Sequence, residues 1–215
     1  MRMYIMGLVL LLSIASCKKE ETTYIIETDL GNMKVKLLDS APKHKANFIK
    51  LVSEGFYNGL LFHRVVNGAI IQGGDPDSRN AQPGQHLGVG DVGYKIPSEI
   101  GVPHFKGMLA AARQGADDNP NLESSGSQFY IVQGQQVSEK DLNIYQAIRN
   151  FKYSQAQIDK YLRLGGMPML DQHYTVFGEV TEGLDVLDKI ARQQTDDYER
   201  PLKDIHMQIY KDNSN

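Results

Sequence analysis

The amino-acid sequence predicts a mainly all-β fold, a barrel of short antiparallel strands whose ends are covered by helices. Short stretches of alternating polarity or of apolar residues recur along the chain, separated by glycine, asparagine and aspartate. Helical spacing of apolar residues appears at only two places, apart from one segment at residues 136–166. At 215 residues, the chain is long enough for one domain with a full core and an insertion.

The fold is predicted to begin with a hairpin and a helix. Residues 24–27 and 33–38 alternate in polarity on either side of a turn signal at residues 29–32, which favours two antiparallel strands. Pro42 then precedes apolar residues at helical spacing, and Gly55 follows them. Because proline favours the first turn of a helix and glycine its end, we predict an amphipathic helix here.

Six further strands and a second helix are predicted downstream. The strand segments are residues 61–66, 69–72, 107–112, 128–132, 174–180 and 205–209, and the helix is residues 184–191. Asn67-Gly68 is a tight-turn signal between the first two of these strands. The resulting hairpin is expected to bring Arg64 beside Gln72 on one sheet face.

Residues 136–166 are predicted to form an inserted helical hairpin. Ser138 with Asp141, and Ser154 with Gln157, have the spacing of helix N-terminal capping pairs, and Gly165-Gly166 closes the segment. Apolar residues that recur every three or four positions are expected to form one contact face. They are Ile144, Ile148, Phe151, Ile158, Tyr161 and Leu162.

The most informative motif is FHRVVNGAIIQGGDP at residues 62–76. It combines the permanently charged Arg64 with the uncharged donor and acceptor Gln72 among apolar and turn residues. This combination suits a site that binds and polarises an uncharged carbonyl group. An arginine on a strand is ordinarily a surface charge, so the motif alone leaves both interpretations open.

Two later segments, SSGSQFYIVQ at residues 124–133 and LDQHYTVFGEV at residues 170–180, complete a set of three ordered motifs. Together with residues 62–76 they resemble the cyclophilins, a family of peptidyl-prolyl cis-trans isomerases. A fainter resemblance extends over residues 23–210. It implies an eight-stranded antiparallel barrel capped by two helices, with a packed interior and an active groove on the outer face. It also implies catalysis without a nucleophile, a metal or a cofactor.

The resemblance assigns the chemistry to Arg64 and Gln72. In cyclophilins the matching arginine donates a hydrogen bond to the prolyl nitrogen as the bond twists, and the matching glutamine helps to place it and the substrate. His63 is expected to be structural or groove-lining, because this reaction transfers no proton. The proline pocket is expected to comprise Ala69, Ile70, Tyr130, Leu170 and Tyr174, with Gln128 on its wall. The peptide-binding strand edge is expected to be Ala112, Arg113 and Gln114, followed in space by Met169.

Four of these positions depart from the common family pattern. Ala69 and Tyr130 stand where phenylalanine is usual, Met169 where tryptophan is frequent and Tyr174 where histidine is frequent. Losing an aromatic wall at Ala69 removes contacts worth about 1 to 3 kcal/mol, so either activity is weakened or a neighbouring side chain fills the gap. Both tyrosines are expected to offer hydroxyls to a substrate carbonyl. Met169 is expected to offer a flexible apolar surface, and the inhibitor cyclosporin to bind poorly.

The N-terminus has the features of a bacterial lipoprotein signal. Arg2 supplies a positive charge, residues 7–14 form an apolar run too short to span a bilayer, and residues 14–16 precede Cys17, the single cysteine. An ordinary signal peptide or a short membrane anchor is the alternative, but diacylglycerol on Cys17 explains both the short run and the lone thiol. We predict a signal peptide over residues 1–16, a lipidated tether over 17–22 and an isomerase domain over 23–212.

Lys18-Lys19-Glu20-Glu21 follows the cysteine. It is either a solvated tether or a signal for display on the surface of a Gram-negative cell. Lys18 in place of aspartate argues, by family analogy, against retention in the inner membrane. We predict lipid anchoring to the outer membrane, on its periplasmic face or at the cell surface.

Several other functions are disfavoured. A net charge of −3 without a basic stripe argues against nucleic-acid binding. The glycine pattern at residues 88–93 precedes Tyr94-Lys95-Ile96-Pro97 where a dinucleotide-binding motif needs a helix. The segment at residues 117–123 lacks the glycine of a calcium loop, and the histidines lack paired metal spacing. Ser127 lacks the pattern of a hydrolase nucleophile.

Two functions remain. The first is a monomeric, lipid-anchored prolyl isomerase that assists the folding of exported proteins by acting on proline-containing and unfolded chains. The second is a module that binds such segments with little turnover. Arg64 and Gln72 favour the first, and Ala69 and Met169 favour the second. The insertion either only packs on the barrel or also selects substrates, and we expect the barrel to fold without it.

Overall fold

A computed structural model describes residues 22–115 and 119–214. The strands are β1 (Thr23–Thr28), β2 (Gly31–Leu37), β3 (Leu60–Leu61), β4 (Arg64–Val66), β5 (Ile70–Gly73), β6 (Lys95–Ile96), β7 (Met108–Ala111), β8 (Ser124–Ser125), β9 (Phe129–Val132), β10 (Val176–Glu182) and β11 (His206–Lys211). The helices are α1 (Pro42–Ser53), α2 (Glu139–Arg149), α3 (Gln155–Leu164) and α4 (Leu184–Ala191). Short 3-10 turns occupy Pro76–Asn80 and Pro168–Leu170.

One antiparallel sheet dominates the fold, with the strand order β3-β11-β1-β2-β10-β7-β9-β5-β4. Its two edge strands, β3 and β4, are successive parts of one chain segment interrupted at Phe62-His63. The sheet therefore curls back on itself, and with β3 and β4 counted as one interrupted strand it contains the eight strands predicted. The antiparallel barrel-like fold is confirmed. A small second sheet of β6 and β8 was not predicted.

The first core fills the interior of the curled sheet and is closed by α1 and α4. Phe48 of α1 lies at its centre, with ring centroids 5.3 to 6.1 Å from those of Tyr24, Tyr57, Phe129 and Phe177. The two predicted capping helices are confirmed, and α4 has the bounds expected from the sequence. Side chains alternate along a strand, so the residues between these core positions face the outer side of the sheet.

A second core lies on that outer side and contains residues of the predicted insertion. Ser138 and Ser154 form capping boxes with Asp141 and Gln157, which explains where α2 and α3 begin. The predicted contact face is partly wrong, because Ile144 and Ile148 are 45% and 65% exposed.

Leu142 is the residue of α2 that packs inward. A position two residues further along a helix lies about 200° around its axis, so Ile144 faces away from the core. Of the predicted face, Tyr161 is buried, and Phe151, Ile158 and Leu162 are partly covered. Tyr153, which was not predicted, is buried as well.

Within residues 22–115 and 119–214, no helix is long and apolar enough to cross a membrane. The predicted signal segment, Cys17 and Lys18-Lys19-Glu20-Glu21 lie outside the described residues. The same ranges contain no cluster of three or more histidine, cysteine or acidic residues arranged to hold a metal ion.

Candidate active site

A cavity of about 250 Å³ lies on the outer side of the sheet and brings the three sequence motifs together. Nine of its eleven lining residues were predicted to belong to one site. The predicted residues are Arg64, Ala69, Ile70, Gln72, Ala112, Arg113, Tyr130, Leu170 and Tyr174, and the two that were missed are Val66 and Met167. A neighbouring cavity of about 100 Å³ is lined by Gln114 and Gln128 among others.

The β4-β5 hairpin sets the charged side of the cavity. Arg64 pairs directly with Gln72 across the hairpin, as predicted, and Gly68 with φ of +78° makes the turn between the strands. The Nη1 group of Arg64 donates to Oε1 of Gln72 at 3.4 Å. Its Nε group donates to Oε2 of Glu199 at 2.6 Å. Two separate acceptors thus orient one guanidinium and leave other N–H groups for a substrate.

Glu199 is a site residue that sequence reasoning missed. It lies 135 residues from Arg64, in the loop after α4, and has an unusual positive φ of 63°. Its carbonyl oxygen accepts from the Val65 amide at 2.7 Å, and its own amide donates to the Asp196 carbonyl at 3.0 Å. In the sequence it belongs to a charged run that is typical of a solvated loop. Both partners of the ion pair are about two-fifths exposed, so its main effect is to orient Arg64 rather than to stabilise the fold.

Gln72 is held in turn by a chain of amide contacts. Its Nε2 group donates to Oε1 of Gln128 at 3.0 Å. Nε2 of Gln128 donates to the carbonyls of Gly88 and Gly90 at 3.1 and 2.9 Å. The carboxylate of the buried Asp75 accepts from the amides of those two glycines. The glycine-rich segment at residues 88–93 is therefore a loop that supports Gln128 and Gln72. No helix follows it directly, which a dinucleotide-binding motif would need.

His63 lies behind the site and does not line either cavity. Its ring is buried, and neither ring nitrogen has a hydrogen-bond partner among the described residues. Burial lowers the pKa of His63 to about 4, although the nearby Asp75 carboxylate has the opposite, smaller effect. The structural role expected for His63 fits this position, and the alternative of groove lining does not.

We expect the free energy of unfolding to depend on pH through His63. Its pKa is about 6.5 in an unfolded chain and about 4 in the fold, so between these two pH values mainly the unfolded chain takes up the proton. The contribution of His63 should lower the free energy of unfolding by about 3 kcal/mol as the pH falls from about 7 to about 4. Urea unfolding at several pH values should show a flatter profile for His63→Phe than for the parent. The exposed His86, changed to Gln, is the control, and an unchanged profile in His63→Phe would contradict the prediction.

The predicted strand edge is only partly open. The amide of Ala112 donates to the Gln128 carbonyl at 3.0 Å, and its carbonyl accepts from the Ser125 amide at 2.8 Å. Ala112 is therefore not available as a backbone edge, because the chain stays paired for one residue beyond β7, and it contributes only its side chain. Gln114 extends further and accepts from Nζ of Lys95 at 2.8 Å.

Arg113 and Tyr174 form the opposite wall of the cavity. The guanidinium carbon of Arg113 lies 4.6 Å from the ring centroid of Tyr174, in cation-π contact. Its Nε group donates to the His173 carbonyl at 3.2 Å. The rings of Tyr130 and Tyr174 meet edge to face at 5.8 Å, so these two aromatic residues form one corner of the cavity.

The expectation for the Tyr130 hydroxyl is wrong. This oxygen lies 3.0 Å from Nε2 of the buried His104, and burial holds the pKa of Tyr130 well above its usual value. The hydroxyl therefore stays protonated and is occupied by its contact with His104, so Tyr130 presents only its ring to the cavity. Tyr174 remains the tyrosine whose hydroxyl is predicted to meet a substrate carbonyl.

Met169 does not line the cavity, contrary to expectation. It is half exposed in the 3-10 turn at Pro168–Leu170, and its carbonyl accepts from Nη2 of Arg149 at 3.4 Å. Residues three apart share a face of such a turn, so Met167 and Leu170 point into the cavity together while Met169 points away. In the sequence, Met167 and Met169 flank Pro168, and this pattern does not reveal which of the two methionines faces the cavity.

Ala69→Phe is expected to improve the site. Because the cavity beside Ala69 is about 250 Å³, a phenyl ring has room without displacing the core. We expect kcat/KM on a proline tetrapeptide to rise roughly tenfold with an unchanged melting temperature. Ile49→Phe, on the exposed part of α1, is a matched control for added aromatic surface. A lower melting temperature without a kinetic gain would mean that the site is already filled.

A curled antiparallel β-sheet with an apolar, aromatic cavity on its outer wall and an oriented guanidinium at the rim of that cavity is the arrangement that the resemblance to the cyclophilins implies. The family model described as cyclophilin type peptidyl-prolyl cis-trans isomerase/CLD matches residues 23–211. This chain belongs to that family.

Two similar proteins agree with this assignment, and a solved structure shares the fold. A candidate peptidyl-prolyl cis-trans isomerase of Staphylococcus saprophyticus is 36% identical over 188 residues, which cover 86% of this chain and 88% of that protein. A protein of the same description from Staphylococcus aureus is 34% identical over 186 residues, with 86% and 88% coverage. A cyclophilin-type isomerase of Cryptosporidium parvum has a structure that matches with a TM-score of 0.65 at 24% identity, over 91% of this chain and 99% of that one.

Proposed function

We propose that this protein catalyses rotation about Xaa-Pro bonds in exported polypeptides, with the proline ring in the 250 Å³ cavity and Arg64 as the donor to the prolyl nitrogen. The observation that carries this proposal is the orientation of one guanidinium by Glu199 and Gln72 at the rim of an apolar cavity. Family membership supports the same reaction.

The chemistry needs few groups. Amide resonance sets a barrier of roughly 20 kcal/mol to rotation about the bond. As the bond twists, the lone pair of the prolyl nitrogen is released from resonance and becomes a hydrogen-bond acceptor. A donor fixed in advance stabilises this state more than the planar ground state, because its dipole need not reorganise. Arg64 supplies the donor, and the rings of Tyr130 and Tyr174 with Leu170 hold the proline while the preceding carbonyl turns.

A structure that shares this fold was solved with a proline dipeptide, which is in keeping with the proposed substrate. The structure of the Cryptosporidium parvum isomerase was also solved in the presence of the dipeptide Ala-Pro, and it matches this chain with a TM-score of 0.63 at 24% identity. We propose that this chain also binds proline-containing segments.

A protease-coupled assay on a proline tetrapeptide tests the activity. The protein without its leader should accelerate the slow cis-to-trans phase in proportion to its concentration. A slow phase that stays at the uncatalysed rate would overturn the proposed reaction.

The second candidate function is a binding module with little turnover. The observation that favours it is the small Ala69 side chain beside a cavity of about 250 Å³, which leaves the proline ring loosely held. Calorimetric binding of the tetrapeptide without an increase in isomerisation rate would decide for this function.

We further propose that a diacylglycerol group on Cys17 anchors the protein to the outer membrane, on its periplasmic face or at the cell surface, where it assists the folding of exported chains. The short apolar run before the single cysteine supports this proposal. Lys18-Lys19-Glu20-Glu21 fits either a solvated tether on the periplasmic face or a signal for surface display. Protease added to intact cells distinguishes the two faces, because only a surface-displayed protein is cleaved.

Cys17→Ser is expected to abolish lipid attachment and release the protein into the soluble fraction. Acyl chains rather than protein contacts provide the membrane affinity in this proposal. Metabolic labelling with a fatty acid, followed by fractionation, measures both effects. Ser16→Ala is the matched control, and labelled fatty acid in the Cys17→Ser protein would contradict the anchor.

A further inference from the structure

A buried polar network connects the helical insertion to the wall of the proline cavity. At its centre is Asp171, whose side chain is 1% exposed. Its Oδ1 atom accepts from the backbone amide of His104 at 2.7 Å and lies 2.8 Å from Nδ1 of the same residue. Its Oδ2 atom accepts from the hydroxyls of Tyr153 at 2.5 Å and Tyr161 at 2.7 Å. One carboxylate thus meets four donor groups from three parts of the chain.

The geometry of these contacts favours one tautomer of the His104 ring. An ionised carboxylate only accepts hydrogen bonds, so Nδ1 of His104 must carry a proton towards Asp171. The negative charge is already shared with a backbone amide and two hydroxyls, and the cationic Arg113 lies over the adjoining Tyr174 ring, so a positive charge on the buried His104 ring is disfavoured. A neutral ring protonated at Nδ1 has an unprotonated Nε2, which can only accept.

The partner of that Nε2 atom is the hydroxyl of Tyr130, at 3.0 Å. Tyr130 is 3% exposed, and it is one of the residues that line the cavity. We propose that Asp171 is a positioning residue for the proline pocket, which acts through His104 on Tyr130 and couples that ring to α3 and to the segment between the insertion helices. The proposal rests on the proposed function, because it assigns the pocket to proline binding.

The coupling has a functional meaning that a merely structural carboxylate would lack. Tyr130 replaces the phenylalanine expected from the family resemblance. A phenylalanine ring would be oriented by packing alone, whereas the Tyr130 hydroxyl adds a hydrogen bond that fixes the orientation of the ring. Tyr153 and Tyr161 add two donors from the insertion, so a change in its docking alters the same carboxylate. The insertion thereby acts on the pocket without reaching the substrate.

The first test reads the His104 ring directly and needs no activity. A long-range ¹H–¹⁵N spectrum of the labelled protein at pH 7.5 reports which nitrogen of each histidine is protonated, and His104→Gln assigns the signal. We expect a neutral ring with the proton on Nδ1. A proton on Nε2, alone or in addition to Nδ1, would overturn the proposal.

The second test is a double-mutant cycle on the tetrapeptide reaction. Asp171→Asn is expected to lower kcat/KM roughly tenfold in the parent, mainly through a higher KM, and less than about twofold in a Tyr130→Phe background, where no hydroxyl remains to be oriented. An equal loss in both backgrounds would overturn the proposal. The exposed Asp159 of α3, changed to Asn, should leave the reaction unchanged.

The two tests separate the failure of this proposal from that of the proposed function. If Asp171→Asn does not fold, Tyr153→Phe replaces it in the cycle, because it removes one donor and keeps the carboxylate. An unmodified protein without isomerase activity would overturn the proposed function. The spectrum of His104 in that protein would still decide whether the network is arranged as proposed.

Discussion

Replacing Arg64 with alanine is expected to lower kcat/KM on a proline tetrapeptide at least about a hundredfold, or some 3 kcal/mol of transition-state stabilisation, while the fold remains intact. The guanidinium is oriented by Glu199 and Gln72 but is two-fifths exposed, so its removal leaves no buried charge unpaired. A protease-coupled assay measures the loss, and circular dichroism checks the fold.

Lysine at position 64 should not restore the activity. The arginine reaches Glu199 with Nε and Gln72 with Nη1, and it keeps further N–H groups for the substrate. A single ammonium group cannot contact both acceptors in this planar arrangement and also face the cavity. Arg163→Ala, at an exposed position of α3, is the control for loss of positive charge. Near-normal turnover in a folded Arg64→Ala protein would refute the proposed mechanism.

Replacing residues 137–164 with a short glycine-serine linker is expected to have the largest effect on stability. The sequence suggested that the barrel would fold without this insertion, but the structure places Leu142, Tyr153 and Tyr161 in the second core. Removing one buried side chain of this size lowers the free energy of unfolding by about 2 to 5 kcal/mol, and the total for a typical domain is about 5 to 15 kcal/mol. Asp171 would also lose two of its four donors.

We therefore expect the trimmed protein to melt at a much lower temperature and to lose activity equally on a tetrapeptide and on a protein whose refolding is limited by proline isomerisation. Both losses have one cause, because the insertion supports the Leu170 side of the cavity. Unchanged tetrapeptide activity with loss on the refolding protein alone would contradict this expectation and indicate substrate selection by the insertion.

A double variant of the exposed residues of α2, Ile144→Ser with Ile148→Ser, is the matched control. These side chains face away from the second core, so their replacement should change stability by less than about 0.5 kcal/mol. Activity on both substrates should match that of the parent. A loss restricted to the refolding protein in this control would show that the exposed face of α2, and not the core, contributes to substrate binding.

Local sequence patterns predicted most of the elements. Alternation identified β1, β2 and β11, and proline and glycine marked the ends of α1. Capping pairs identified the start of both insertion helices. These signals are local because hydrogen bonds within a turn or a helix end connect residues only a few positions apart. The small β6-β8 sheet escaped prediction because its strands are two residues long and are held by pairing across the fold.

Site residues were predictable where they lie close together within one sequence motif. Arg64 and Gln72 face each other because the three-residue turn at residues 67–69 sets the register of their hairpin. Met169 was misplaced because a short turn can present either methionine to the cavity, and only the packing of Leu170 selects Met167. The prediction for Ala112 failed because pairing with Gln128 and Ser125 continues past the end of the strand.

The sequence by itself determined the fold class, the three motifs and the pairing of Arg64 with Gln72, because each depends on turn chemistry or periodicity within a short stretch of chain. Only the tertiary structure decided three contacts. Glu199 accepts a hydrogen bond from Arg64, His104 contacts the Tyr130 hydroxyl, and Asp171 accepts a hydrogen bond from Tyr161 of the insertion. Each of those contacts joins residues that are distant in the chain. A charged or polar residue is consistent with solvation at almost any such position, so its partner becomes known only when the sheet has closed and the second core has formed.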